Sequence, residues 1–211
     1  MIACMGKVEK AVAADPATLG VPSRELKVFG VGLSRTGTRS LTTALRVLGF
    51  DTAHYPVDQA TLDTLARGDA RFPLLDSRDG ITDITVAPYY EDLDRAFPES
   101  RFVLTVRDEE SWLRSCRFHW ARPVAGKGGE GEHARVYQEI QRFLRAAVYA
   151  SYEFDEDRFR RVYRHHMERV TDYFAGRDDD LLVLDIVAGQ GYEQLAPFLG
   201  VPVPGQPFPH G

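Results

Sequence analysis

The sequence predicts a single-domain α/β fold, a P-loop-like parallel sheet flanked by helices, and three observations carry that prediction. Residues 27–50, "KVFGVGLSRTGTRSLTTALRVLGF", read as a buried strand, a tight hydroxyl-rich turn and an amphipathic helix. Residues 101–120 repeat the order, an apolar strand followed by a helix that opens through Asp108, Glu109 and Glu110. Between and after them, strand-like and helix-like patterns alternate, which is the signature of parallel strands joined by crossover helices. At 211 residues with 44% apolar content, the chain can bury a sizeable core in one domain. Residues 25–211 are assigned to that domain and residues 1–24 to an N-terminal extension.

The first strand is expected over 27–33, because Val28, Phe29 and Val31 are strand formers, and the first helix over 38–48, where Leu41, Ala44, Leu45 and Leu48 recur at helical spacing. Further strands are expected at about 50–54, 80–84, 101–106 and 181–186. Helices are expected near 57–67, 88–97 and 109–120. Two long helical patterns fill residues 132–176, the second capped by Asp155 or Asp157 and closed by Gly176. Before them the glycine-rich residues 122–133 cannot pack a core and read either as a lid or as a plain linker. The tail "GVPVPGQPFPHG" is Pro-rich and predicts extended chain.

The turn after the first strand predicts an anion site. Gly32 and Gly37 let the backbone fold close to a ligand. The first N–H groups of the following helix lack intrahelical partners and sit at the positive end of its dipole. Arg35 and Arg39 add charge. The glycines keep the G-x-x-x-x-G spacing of a Walker A loop, yet Thr38 and Arg39 stand where an NTP-binding loop needs Lys followed by Ser or Thr. Without that Lys and that hydroxyl, ATP with magnesium is a poor fit.

Arg107 ends the strand of the second unit, and in open parallel sheets ligands bind at the carboxyl rim of the strands. Ser115 lies eight residues on, within the next helix, where its hydroxyl can meet the same ligand. The alternative for Arg107 is a surface pair with Asp108 or Glu110. His165, His166 and Glu168 do not make a metal site, because adjacent helical residues point about 100° apart. They read as a solvated or interhelical pair, and the neighbouring arginines read as a charged outer face from which one could reach a phosphate.

A net charge of −5 predicts no general nucleic-acid surface, so a polyanionic ligand must be caught by a local basic pocket. Cys4 and Cys116 give no disulfide framework. The start of the chain carries Glu9 and Asp15 where a signal peptide would be apolar, and no run approaches a membrane span. A cytoplasmic protein is expected.

Together the two motifs resemble the sulfotransferases that use 3′-phosphoadenosine 5′-phosphosulfate (PAPS), in particular a small subgroup of them. The family's 5′-phosphosulfate loop, typically P-K-S-G-T-T-W or R-[ST]-G-T-[ST]-x-L, is similar to Ser34, Arg35, Thr36, Gly37, Thr38, Arg39 and Ser40. Its 3′-phosphate motif, an Arg at a strand end and a Ser eight residues later, is similar to Arg107 and Ser115. The likeness extends over roughly residues 26–210. It implies transfer of a sulfuryl group from PAPS to a hydroxyl of a small-molecule acceptor, with release of adenosine 3′,5′-bisphosphate. It also marks three departures. The loop Lys of the cytosolic enzymes is Arg35, which stays charged at neutral pH. The loop's adenine-stacking Trp is Ser40, with Tyr192, Phe118 and Trp120 as other candidates. The basic glycine loop near the C-terminus is reduced to "AGQG", residues 188–191, without a cation.

Sulfuryl transfer needs donors aimed at the leaving oxygen and a base for the acceptor hydroxyl. Arg35 and the loop amides fit the first need. For the base there are two candidates. Asp83 lies a little over twenty residues before Arg107, where the resemblance puts the family's base. His54, just after the second strand, has a ring that ordinarily titrates near neutrality. The alternatives to this reading are a metabolite or nucleotide kinase on a degenerate loop and a non-catalytic nucleotide-binding protein. No metal is expected, and the oligomeric state is open.

Overall fold

A computed structural model describes residues 26–121 and 131–210. The expected N-terminal extension and most of the expected lid or linker lie outside the described residues. Five strands, β1 (Val28–Gly30), β2 (Thr52–His54), β3 (Gly80–Thr82), β4 (Arg101–Thr105) and β5 (Leu181–Leu184), form one sheet in the order β2-β3-β1-β4-β5. Every pairing is parallel, with Gly30 opposite Thr82 on one side and Val103 on the other. The helices are α1 (Thr38–Val47), α2 (Gln59–Arg67), α3 (Tyr90–Ala96), α4 (Glu109–Trp120), α5 (Glu132–Tyr149), α6 (Glu156–Tyr173) and α7 (Tyr192–Phe198). Short 3-10 turns at Pro73–Asp76 and Ala87–Tyr89 precede β3 and α3.

The sheet is covered on both faces, which is why its strands read as continuous apolar runs rather than alternating ones. Val28, Val103 and Leu184 pack on Leu41 and Leu45 of α1 and on Leu195 of α7. Phe29, Phe102 and Leu104 point the other way, into a larger core closed by Leu65, Leu93, Trp112, Ile140, Phe159 and Val170 of α2 to α6. Neighbours along β1 and β4 thus serve opposite layers, as the two-residue period of a strand requires.

Two helix starts follow the capping chemistry of the sequence. The Asp58 carboxylate accepts from Thr61 N at 2.8 Å, and Asp155, one of the two expected caps, accepts from Arg158 N at 2.8 Å. Strands are shorter than expected because chain that leaves the ladder toward the rim still reads as apolar. Helix α7 is not foreseen by the sequence. It carries Pro197 within it, and only its packing of Leu195 and Ala196 on the α1 face makes it a helix.

The topology opens a crevice of the kind in which parallel sheets ordinarily hold ligands. From β1 the chain crosses toward β2, and from β4 it crosses toward β5, so the loops after these adjacent strands diverge and open a crevice at their carboxyl ends.

Candidate active site

The loop of residues 31–37 lies along that crevice. Gly32 passes so close to β4 that a Cβ there would sit 1.9 Å from Thr105 Oγ1, so no other residue fits. Gly37 is the N-cap of α1 with φ 105°, a left-handed conformation glycine adopts without strain. It offers no side-chain cap, and no acidic residue stands in the first turn. The start of α1 therefore presents bare amides and a positive dipole end to the cleft. Arg35, at φ 76°, is held in the same region against the preference of a residue that carries a Cβ. The loop is braced from α4, where Trp112 Nε1 donates to Ser34 O at 2.9 Å.

Thr36, expected among the cofactor contacts, faces inward. Its hydroxyl donates to Leu33 O at 2.7 Å and meets Thr105 Oγ1 at 2.6 Å, and the residue is fully buried. Its part is to fold the loop. Ser34, Arg35, Gly37, Thr38, Arg39 and Ser40 do line the cleft, whose volume is about 730 Å³. Arg39 reaches it as an exposed guanidinium.

Arg107 stands across the crevice. Its backbone is held by Tyr163 of α6, which accepts from Arg107 N at 3.0 Å and donates to Arg107 O. Its side chain donates from Nε to Ser111 Oγ at 2.9 Å and from Nη1 to Arg35 O at 3.2 Å. Ser115 is one turn beyond Ser111 and accepts from Arg35 Nε at 2.9 Å. Ser115, expected to meet the same ligand as Arg107, thus touches Arg35, while Ser111, which the sequence did not single out, touches Arg107. Glu109 and Glu110 are not partners of Arg107. They pair with Arg160 and Arg164 of α6, which keeps those arginines away from the cleft.

On the other side of the loop, the structure brings together the two candidates for the base. Asp83 ends β3 in a left-handed conformation, φ 81°, and is buried. Its Oδ1 accepts from Ser34 Oγ at 2.5 Å and from Ile84 N at 2.6 Å. Its Oδ2 accepts from Thr38 Oγ1 at 2.8 Å and lies 3.0 Å from His54 Nε2. Burial opposes the charge, but the hydrogen bond and charge of His54, the Ser34 hydroxyl and the Ile84 amide outweigh it and hold the carboxyl below its usual value. A carboxylate this fully engaged has no lone pair left for an acceptor proton or for a metal ion. What it can do is fix the imidazole. With Nε2–H turned to Asp83, His54 Nδ1 is the acceptor atom, and His54 lines the cleft.

Sequence reasoning named Trp120 as a candidate stacker but missed the residues that build the far end of the cleft with it, Tyr55, Tyr137, Gln141 and Arg145. With Trp120 they come from the turn after β2, the end of α4 and α5. They sit in helical patterns whose buried face gives no sign that it meets a cavity. Of the candidate adenine stackers, Tyr192 packs against Phe208 with ring centres 4.8 Å apart, and Phe118 is 74% exposed. Trp120 belongs to the far end. The chain after β5 borders the loop instead, with Ile186, Val187 and Gly189, and His210 joins them from the tail. Gln190 of "AGQG" is used within that turn, accepting from Asp185 N at 2.7 Å.

His166 corrects the picture of a solvated or interhelical pair. Its Nε2 donates to Val31 O at 2.7 Å, tying α6 to the loop, and burial lowers its pKa. Among the described residues, no group of three or more His, Cys, Asp or Glu is placed to hold a metal, and no helix is long and apolar enough to cross a membrane.

Residues 27–211 match the family described as a sulfotransferase domain. The chain is also similar to the "Ava biosynthesis cluster protein M" of Aspergillus versicolor, 27% identical over 209 residues, which cover 88% of this chain and 80% of that protein.

Proposed function

This chain belongs to the sulfotransferase domain family, and from that premise we propose that it moves a sulfuryl group from PAPS to a hydroxyl of a small-molecule acceptor, in the cytoplasm. The observation that carries the reading is the convergence of Arg35, Arg107 and Ser115 on one crevice at the switch point, facing the uncapped start of α1.

Bound PAPS supplies an activated sulfuryl group and a good leaving group. The amides at the start of α1 and the guanidinium groups of Arg35 and Arg39 hold the 5′ end and stabilise charge that builds on the leaving oxygen. Arg107, with Ser111 and Ser115 beside it, holds the 3′-phosphate by charge-assisted hydrogen bonds. Ile186 and Val187 offer apolar surface for the base. At the other side of the loop, Asp83 orients His54, whose Nδ1 takes the acceptor proton. Asp83, favoured by its spacing, thus acts through His54. The same geometry disfavours a kinase, because Thr38 stands in the place of the loop Lys and spends its hydroxyl on Asp83.

Adenosine 3′,5′-bisphosphate is expected to raise the melting temperature without added metal, since a ligand of the native state shifts the folding equilibrium. ATP with magnesium is expected to do less. A larger stabilisation by ATP in the same thermal-shift assay overturns the reading.

A further inference from the structure

Among the described residues, Arg145 is a guanidinium without a counter-ion. It lies on α5, is 6% exposed, and lines the far end of the cleft beside Tyr55, Tyr137 and Gln141. The structure gives it one hydrogen bond, from Nη1 to Tyr152 O at 3.0 Å, and it stands 5.1 Å from the centre of the Trp120 ring. No carboxylate pairs with it among the described residues, unlike Arg160, Arg164 and Arg177. An arginine has five N–H donors and cannot shed its charge at neutral pH. A buried, uncompensated charge is costly, and contact with an aromatic face offsets only part of that cost. Trp120 Nε1, a donor, is left unsatisfied beside it, and Gln141 Oε1, an acceptor that needs a water or a hydroxyl rather than an anion, is left unsatisfied as well. Such orphans in a native structure call for a ligand, a water or an ion.

We infer that the acceptor carries an anionic group, a carboxylate by preference, which the Arg145 guanidinium binds at the end of the cleft away from the phosphate loop. The guanidinium fork matches a carboxylate in plane and spacing. The aromatic side chains of Tyr55, Tyr137 and Trp120 between suit a flat apolar body. His54 lines the same cleft, so an acceptor anchored through its acid at Arg145 can present a hydroxyl to its Nδ1. The inference rests on the sulfotransferase reading for the hydroxyl, but not for the anion site itself.

The test is direct binding, measured by calorimetry on the full chain saturated with adenosine 3′,5′-bisphosphate so that the phosphate loop is filled. The probes are matched pairs, 4-hydroxyphenylacetate against 2-(4-hydroxyphenyl)ethanol and 4-hydroxybenzoate against 4-hydroxybenzyl alcohol. The acid of at least one pair is expected to bind roughly 10- to 100-fold tighter than its neutral partner. Arg145→Gln is expected to erase that preference, and Arg145→Lys to restore part of it. Equal binding within every pair, no binding of any probe, or a preference that survives in Arg145→Gln overturns the inference. If Arg145→Gln does not fold, Arg145→Lys decides: a preference kept in full overturns the inference. The bisphosphate titration on the same sample reports on the donor site separately. If the bisphosphate binds and the acids are not preferred, only the anion site fails. If the bisphosphate does not bind, the donor reading fails, and the acid pairs run on the free chain still decide the anion site.

Discussion

His54 and Asp83 are in contact, and the two roles proposed for them separate by experiment. His54→Ala is expected to lower turnover by roughly 10² to 10⁴, the range for loss of a positioned base. Asp83→Asn is expected to lower it as well, because an amide no longer holds the imidazole with Nε2–H toward it. On the proposed order, in which the carboxylate acts through the ring, the double variant should be little worse than His54→Ala alone. Kinetics with any acceptor the wild type turns over check this, and additive losses would place Asp83 in independent contact with substrate. A second expectation concerns stability. The Asp83 carboxyl is held below its usual value in the fold, so the stability it contributes is present above the unfolded value of ~3.9 and is lost as pH falls through the lower folded value. Denaturant unfolding should therefore show wild type ahead of Asp83→Asn at neutral pH, with the gap narrowing below about pH 3.9. A gap independent of pH would mean that the carboxylate is not specially stabilised. The sequence placed both residues at strand ends but could not order their roles. That order comes from four donors on one carboxylate, which arrive from the loop, α1, β2 and the chain after β3.

Among the elements, α6 does more for the site than its exposed arginines suggest. Tyr163 bonds both backbone groups of Arg107, and His166 bonds Val31 O, so one helix grips the chain after β4 and the chain after β1. Tyr163→Phe removes the hydroxyl and leaves the Arg107 backbone groups without a partner, which should cost about 1 to 3 kcal/mol of stability. It should also weaken binding of the 3′,5′-bisphosphate more than that of the 5′-monophosphate, because Arg107 is the group proposed to hold the 3′-phosphate. Parallel calorimetric titrations of the two nucleotides check it, and equal losses would remove α6 from a role in positioning Arg107. The strand, turn and helix at the start of the domain were legible because glycine spacing and apolar periodicity are local. The grip of α6 was not, because Tyr163 is more than fifty residues from Arg107.

For the whole molecule, the sequence by itself determined the parallel α/β class, the single domain, the loop that starts α1 and the rim position of Arg107. These depend on local periodicity, on glycine at turns and on the rule that alternating strands and helices stack into one sheet. Even the departure of the loop from the Walker A pattern was fixed there, since it is a matter of which residues stand at positions 38 and 39. Only the tertiary structure decided the strand order, and with it that β1 and β4 are neighbours whose loops diverge into a binding crevice. It alone turned Thr36 inward, gave Arg107 to Ser111 and Ser115 to Arg35, and made α7 a helix despite Pro197. It also left Arg145 against the cleft with no carboxylate partner among the described residues. Each of these outcomes is set by which side chains meet across long separations in the chain, and a side chain's partner is a property of the packed molecule that local pattern does not encode.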